Sequence, residues 1–125
     1  MINKLLENCP EILYKLSSYT TRPIREKEKE GIDYYFITKE QFIQMEQQGK
    51  LFGVKKYNNN YFGSNIYILD EGLKNWKIII ILNYNIETVN ELKDKLEFNC
   101  IAILPPSKSE LRERLIKRKT KPEEI

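Results

Sequence analysis

Two mostly apolar segments in the second half of the chain constrain its fold more than any other feature. Residues 77–83 and 99–104 contain several isoleucines and do not alternate apolar with polar positions as a half-exposed strand does. Such runs are typical of strands buried on both faces of a parallel sheet. A helical pattern over residues 86–96 separates them, which is the order of a parallel strand–helix–strand unit. The sequence therefore predicts an α/β fold with a buried parallel sheet.

The first half of the chain predicts a smaller antiparallel lobe set into that sheet. Residues 51–57 and 61–63 are β-rich and flank three asparagines, a pattern that indicates a hairpin. Periodicity and capping signals predict the other elements. These are strands over 13–20 and 33–37, helices over 2–9 and 110–119, and a helix that starts at a capping box over 38–41.

Composition limits the chemistry that the chain can perform. The 125 residues, of 15.0 kDa, predict a single domain, and a net charge of +3 is too small to indicate a nucleic-acid-binding protein. The absence of histidine excludes a serine–histidine triad and histidine metal ligands. Cys9 and Cys100 have no CxxC spacing, so a zinc site is not expected and both are predicted to be buried thiols. No run approaches the ~20 apolar residues of a membrane span, so we expect a soluble, cytoplasmic protein with no membrane partner.

Three short segments carry the residues that suggest a function. The first, over residues 17–25, places Arg22 and Arg25 three apart beside hydroxyl groups, which suits phosphate oxygens. The second, over 59–64, sets two aromatic residues beside Gly63. The third, over 104–120, puts Arg114 and Arg118 on one helical face. Taken singly, the three segments are more typical of a solvated loop, a packed hairpin and a surface helix than of a binding site.

In their order and spacing, the three segments resemble the guanylate kinase family over nearly the whole chain. The shared features are the serine–threonine–threonine–arginine turn, the glycine–aspartate–tyrosine stretch, the tyrosine–glycine turn and the proline–proline–serine helix start. The resemblance implies a P-loop nucleoside-monophosphate-kinase fold, with a GMP-binding lobe over about residues 18–64. Members of the family transfer a phosphate from ATP to GMP with magnesium.

The resemblance also assigns roles to particular residues. It implies that Arg22, Arg25 and Tyr34 hold the GMP phosphate, and that Ser18 contacts the guanine. Ser64 belongs to the same retained set. On the ATP side the resemblance points to Arg114 and Arg118.

Departures from the family pattern concern the groups that perform catalysis. The chain has no G-x-x-x-x-G-K-[ST] motif, which in the family cradles ATP phosphates and magnesium. Gly53 falls where the family has a guanine-reading glutamate, and Phe62 falls where it has a tyrosine. Asn83 and Asn85 stand in the stretch where the family has aspartates. We therefore expect a truncated homologue that has no catalytic residue, uses neither ATP nor magnesium, and keeps a partial monophosphate site.

Several alternatives remain open at this point. The chain could be an interaction module that binds a phosphorylated partner, half of a split guanylate kinase, or a decayed gene product. In the family, the strands that match residues 77–83 and 99–104 are not neighbours, because a further strand lies between them. Without it, the two runs could pair directly, which we predict for an ordered structure, or a protein partner could complete the sheet.

Overall fold

A computed structural model of the chain describes residues 2–75, 78–82 and 85–118. Within these ranges the chain forms five helices and six strands. The helices are α1 (Ile2–Asn8), α2 (Lys39–Gln47), α3 (Ile66–Asn75), α4 (Ile86–Lys93) and α5 (Lys108–Lys117). The strands are β1 (Leu13–Lys15), β2 (Ser18–Thr20), β3 (Tyr34–Phe36), β4 (Leu51–Tyr57), β5 (Asn60–Asn65) and β6 (Ile78–Ile80). None of the described helices is long and apolar enough to cross a membrane.

The strands form two separate sheets. β1 and β6 pair in parallel, with Leu13 opposite Ile78. The other sheet has the order β3-β2-β5-β4, and its β2–β5 and β5–β4 pairs are antiparallel. This confirms the predicted α/β fold with a parallel sheet and a distinct antiparallel lobe. The lobe differs from the prediction in one respect, because β2 and β3 run parallel.

The predicted hairpin forms and its turn has a clear local cause. Asn58 and Asn59 between β4 and β5 have φ angles of 47° and 61°, a left-handed conformation that asparagine tolerates better than most residues. The pairing of β4 with β5 is interrupted between Phe52 and Lys55, where Gly53 has a φ of 60°. The register shift has the character of a β-bulge, and the Gly53 amide within it donates to the Glu91 carboxylate of α4.

Capping explains where α2 begins, and the buried face of α2 holds the lobe together. The Thr38 hydroxyl accepts a hydrogen bond from the Gln41 amide at 3.1 Å, and the Gln41 side chain accepts one from the Thr38 amide at 2.9 Å. This is the predicted capping box. One turn further, Phe42 is completely buried and its ring packs against that of Tyr61. The sequence did not reveal α3, whose apolar residues follow β5 without a break.

The main core lies where the two sheets meet. It consists of Leu16, Phe52, Leu69 and Leu92, which come from the β1–β2 connection, β4, α3 and α4. Tyr14 and Ile79 of the parallel sheet pack against it. The core therefore fixes the four-stranded lobe against the parallel pair.

The predicted second buried strand is absent, and this part of the prediction was wrong. Residues 99–104 form no strand, and Ile101, Ile103 and Leu104 are 87%, 68% and 80% exposed. Cys100 is exposed as well, contrary to the buried thiol that we expected. Direct pairing with β6 does not occur, since among the described residues β6 pairs with β1. An apolar run shows that a segment suits a buried strand, but it does not supply the neighbouring strand that its amides need.

Candidate functional site

A cleft of about 230 Å³ opens over one face of the four-stranded sheet. The pairing of the strands puts Tyr34, Ser18, Ser64, Phe62 and Lys55 on that face, since partners and next-but-one residues share a face. The cleft also reaches β1 and the segment after β6. Its lining consists of Lys15, Leu16, Ser18, Asp33, Tyr34, Gly53, Lys55, Phe62, Gly63 and Leu82.

Two of the predicted site residues meet at the middle of this face. The hydroxyl oxygens of Ser18 and Ser64 lie 2.8 Å apart and share a hydrogen bond. Ser64 is completely buried, whereas Ser18 lines the cleft. Ser64 therefore orients Ser18 from behind the cleft surface.

Arg22 is held at one end of the sheet face by a two-point ion pair. Its Nη2 donates to Glu28 Oε1 at 2.6 Å and its Nη1 donates to Glu28 Oε2 at 3.0 Å. The guanidinium also lies over the rings of Tyr34 and Phe36, with centroid distances of 5.5 and 5.8 Å. The hydrogen bonds from Arg22 lower the pKa of the Glu28 carboxyl, so Glu28 stays ionised at neutral pH.

The three other arginines that were predicted for the site have different surroundings from Arg22. The Arg25 side chain is exposed, but its backbone amide donates to Glu28 at 2.9 Å and so helps to close the loop around Arg22. Arg114 pairs with Glu110 one turn away on α5, and Arg118 caps that helix. No residue of α5 is buried, and neither arginine lines the cleft. The structure thus places Ser18 and Tyr34 in the cleft lining, Ser64 behind Ser18 and Arg22 over the Tyr34 ring outside the lining. It leaves Arg114 and Arg118 on a separate exposed helix.

The opposite end of the cleft has Gly53, as the sequence analysis expected, and a lysine lies close to it. Gly53 is buried, and its amide donates to the Glu91 carboxylate of α4 at 3.1 Å. Its φ of 60° would strain an L-residue, so this position favours glycine. Two positions further along β4, Lys55 enters the cleft lining.

Two lysines are site residues that the sequence did not single out. Lys15 and Lys55 line the cleft from β1 and β4, and the Lys15 ammonium donates to the Ile32 carbonyl at 2.6 Å. Strand alternation could have pointed to Lys55, because residues two apart in a strand lie on the same face and Lys55 follows Gly53 by two. No comparable signal marked Lys15, which enters the cleft only because β1 packs beside the four-stranded sheet.

The described residues contain no cluster of metal ligands, and the sequence contains no phosphate-binding loop of the P-loop type. Across residues 2–75, 78–82 and 85–118, no three acidic or cysteine side chains come together as a metal site. Asn85 accepts from the Thr88 amide and hydroxyl as the N-cap of α4, while Asn83 lies outside the described residues. The sequence offers no glycine-rich loop ending in lysine and a hydroxyl residue.

Comparison with known proteins shows which family the sequence and the fold of this chain resemble. A family model described as guanylate kinase matches residues 1–125. A guanylate kinase of Blochmanniella floridana is 40% identical over 117 residues, covering 92% of this chain and 55% of the relative. A guanylate kinase of Shouchella clausii is 39% identical over 117 residues, covering 91% and 55%. The crystal structure of guanylate kinase from Anaplasma phagocytophilum superposes with a TM-score of 0.71 at 30% identity, covering 90% of this chain and 58% of that one.

The parallel strand pair, the four-stranded lobe and the cleft between them define a nucleoside-monophosphate-kinase type of fold. With the match over its full length, the chain belongs to the guanylate kinase family. It spans little more than half the length of the relatives given above.

Proposed function

We propose that the cleft binds a phosphate ester of the GMP class and that the 125-residue chain does not by itself transfer phosphate from ATP. The observation that carries the proposal is the convergence of Arg22, Tyr34 and Ser18 on one face of the lobe. Arginine and hydroxyl groups are the donors that phosphate oxygens accept best.

The Arg22–Glu28 pair positions the arginine for this role. An arginine side chain has five N–H donors, and the bonds to Glu28 and to the Pro23 carbonyl involve only Nη1 and Nη2. A bound phosphate would share a guanidinium whose orientation is already fixed, which lowers the entropy lost on binding. Tyr34 lies next to it and offers a phenolic hydroxyl.

Selectivity for guanine is expected to be low. Gly53 supplies no carboxylate for the base, and Phe62 supplies no hydroxyl for the phosphate. We therefore expect GMP and AMP to bind equally, with dissociation constants no tighter than the millimolar range. A marked preference for GMP in calorimetric titration would contradict this part of the proposal.

The absence of phosphotransfer has its own test. Phosphoryl transfer depends on positioned donors and a metal around the transferred group, and the chain has no P-loop to provide them. A coupled assay with ATP, magnesium and GMP should give no turnover above a buffer blank. Turnover that follows the protein through two orthogonal purification steps would overturn this conclusion.

A partner that adds a strand is a second candidate function, favoured by the exposed apolar run. Half of the surface of Ile78 in β6 is exposed, and Ile101 of the 99–104 segment is almost fully exposed. A strand between these two segments would satisfy their backbone groups and cover their side chains. We propose that a segment carrying a P-loop strand fills this place.

Co-expression tests this second proposal. The chain would be produced with the tagged N-terminal P-loop segment of the Shouchella clausii guanylate kinase. Co-purification, protection of residues 101–104 from hydrogen exchange and magnesium-dependent GMP phosphorylation are the expected results. Failure of the two polypeptides to associate would overturn it. A phosphorylated protein recovered in place of such a segment would favour the interaction module instead.

A further inference from the structure

Lys15 and Lys55 differ from most lysines of the chain in their burial. Among the described lysines, Lys15, Lys50 and Lys55 alone are partly buried, and two of these three line the cleft. Partial burial strengthens the interaction of a cation with an anion, because fewer water molecules screen it. The cleft therefore concentrates positive charge at places where the bound ligand would lie.

Lys55 and Arg22 stand at opposite edges of the sheet face. The Arg22 guanidinium lies over Tyr34 and Phe36 of β3, and Lys55 lies on β4. The strand order β3-β2-β5-β4 separates these edges by three inter-strand spacings, about 14 Å at the backbone. The Lys55 side chain is long enough to shorten that distance over the cleft. One ligand could thus meet a cation at each end.

We propose that the Lys55 end of the cleft takes a second anionic group, so that the preferred ligand is a phosphate ester with two anionic ends. This inference rests on the proposed function, because the first anion is the phosphate held beside Arg22 and Tyr34. At this end of the cleft Gly53 has no side chain to offer a ligand, and the half-buried Lys55 follows two residues later. An ammonium group attracts an anion but cannot accept the N–H donors of guanine.

The carboxylates near the cleft do not reverse this charge. The lining itself contains two lysines and one aspartate, Asp33, which accepts from the Lys29 amide at 2.8 Å. The Glu91 carboxylate accepts from the Gly53 amide and belongs to an exposed residue of α4, outside the lining. Asp33 precedes Tyr34 and so lies at the edge of the sheet opposite Lys55.

Calorimetric titration with three probes tests the proposal. Ribose 5-phosphate carries one anionic end, GMP adds a base, and ribose 1,5-bisphosphate carries a phosphate where GMP carries its base. We expect the bisphosphate to bind about tenfold more tightly than ribose 5-phosphate, the factor typical of one added charge-assisted hydrogen bond. GMP should bind no better than ribose 5-phosphate.

Lys55→Met, which keeps the apolar stem, should abolish the advantage of the bisphosphate over ribose 5-phosphate. The matched control is Lys56→Met, because Lys56 is exposed and its ammonium lies over the Tyr61 ring, 5.6 Å from the centroid. Unchanged melting temperatures would show that both variants fold.

Each other outcome has a distinct meaning. Equal binding of the bisphosphate and ribose 5-phosphate, or an advantage that survives Lys55→Met, overturns the two-anion proposal and leaves the proposed function standing. Tighter binding of GMP than of the bisphosphate also overturns the two-anion proposal and leaves the proposed function standing. Binding of none of the three probes overturns both proposals.

Discussion

The guanidinium of Arg22 and the carboxylate of Glu28 form a two-point ion pair, with distances of 2.6 and 3.0 Å. Only 14% of the Arg22 side chain and 17% of the Glu28 side chain are exposed. The pair closes the loop between β2 and β3 and fixes the arginine beside Tyr34. A second ion pair, Arg114–Glu110, lies on the exposed surface of α5 and offers a control within the same chain.

Replacing Glu28 with glutamine should destabilise the protein measurably. The variant loses the charge on a mostly buried partner of Arg22, and we expect the free energy of unfolding to fall by about 1–3 kcal/mol. Glu110→Gln removes the charge from the exposed pair and should change the free energy of unfolding by less than about 0.5 kcal/mol. Urea denaturation measures both variants. Equal effects of the two substitutions would show that the Arg22–Glu28 pair does not stabilise the loop.

The same pair should make stability depend on pH in the acid range. Hydrogen bonds from Arg22 lower the pKa of Glu28 in the folded protein, so the folded state binds this proton less readily than the unfolded chain. The contribution of the Arg22–Glu28 pair to the free energy of unfolding is therefore complete at neutral pH. It is lost as the pH falls below about 4, the ordinary range of a glutamate pKa. The difference in unfolding free energy between the parent protein and Glu28→Gln should shrink over that range. A difference that stays constant down to pH 3 would contradict this explanation.

The Ser18–Ser64 hydrogen bond should contribute to the stability of the lobe. Ser64 is completely buried, and Ser64→Ala leaves the Ser18 hydroxyl without this partner. We expect a loss of about 1 kcal/mol in unfolding free energy. The control is Ser109→Ala, since Ser109 bonds to Ser107 at an exposed helix start and should cost much less. Equal costs in thermal denaturation would argue against an ordering role for Ser64.

The sequence predicted the lobe better than the parallel sheet, for a physical reason. Local signals define the hairpin at Asn58 and Asn59 and the start of α2 at Thr38, and both are formed as predicted. The 99–104 run carries an equally strong apolar pattern but forms no strand, because strand formation depends on a distant neighbour. The family resemblance pointed to Ser18, Arg22, Tyr34 and Ser64, and their role in binding stays a prediction. Lys15 could not be predicted, since its position depends on how the two sheets pack.

Hydrogen exchange should show this contrast directly. Amides of residues 101–104 should exchange at rates near those of an unstructured peptide, because these residues are in no strand. Amides of β5, which pairs with β2 and β4 on both sides, should be strongly protected. Mass spectrometry of peptides covering the two regions makes the comparison within one sample. Strong protection of 101–104 in the monomer would show that this segment pairs after all.

The central claim, that the cleft beside Arg22 binds a phosphate ester, is tested most directly by titrating GMP into matched arginine variants. The parent protein and Arg112→Ala, an exposed position on α5, should bind GMP equally. Arg22→Ala should weaken binding by about tenfold or more, the loss of one well-placed charge-assisted contact. GMP binding that is unchanged in Arg22→Ala, with the variant still folded, would contradict the account.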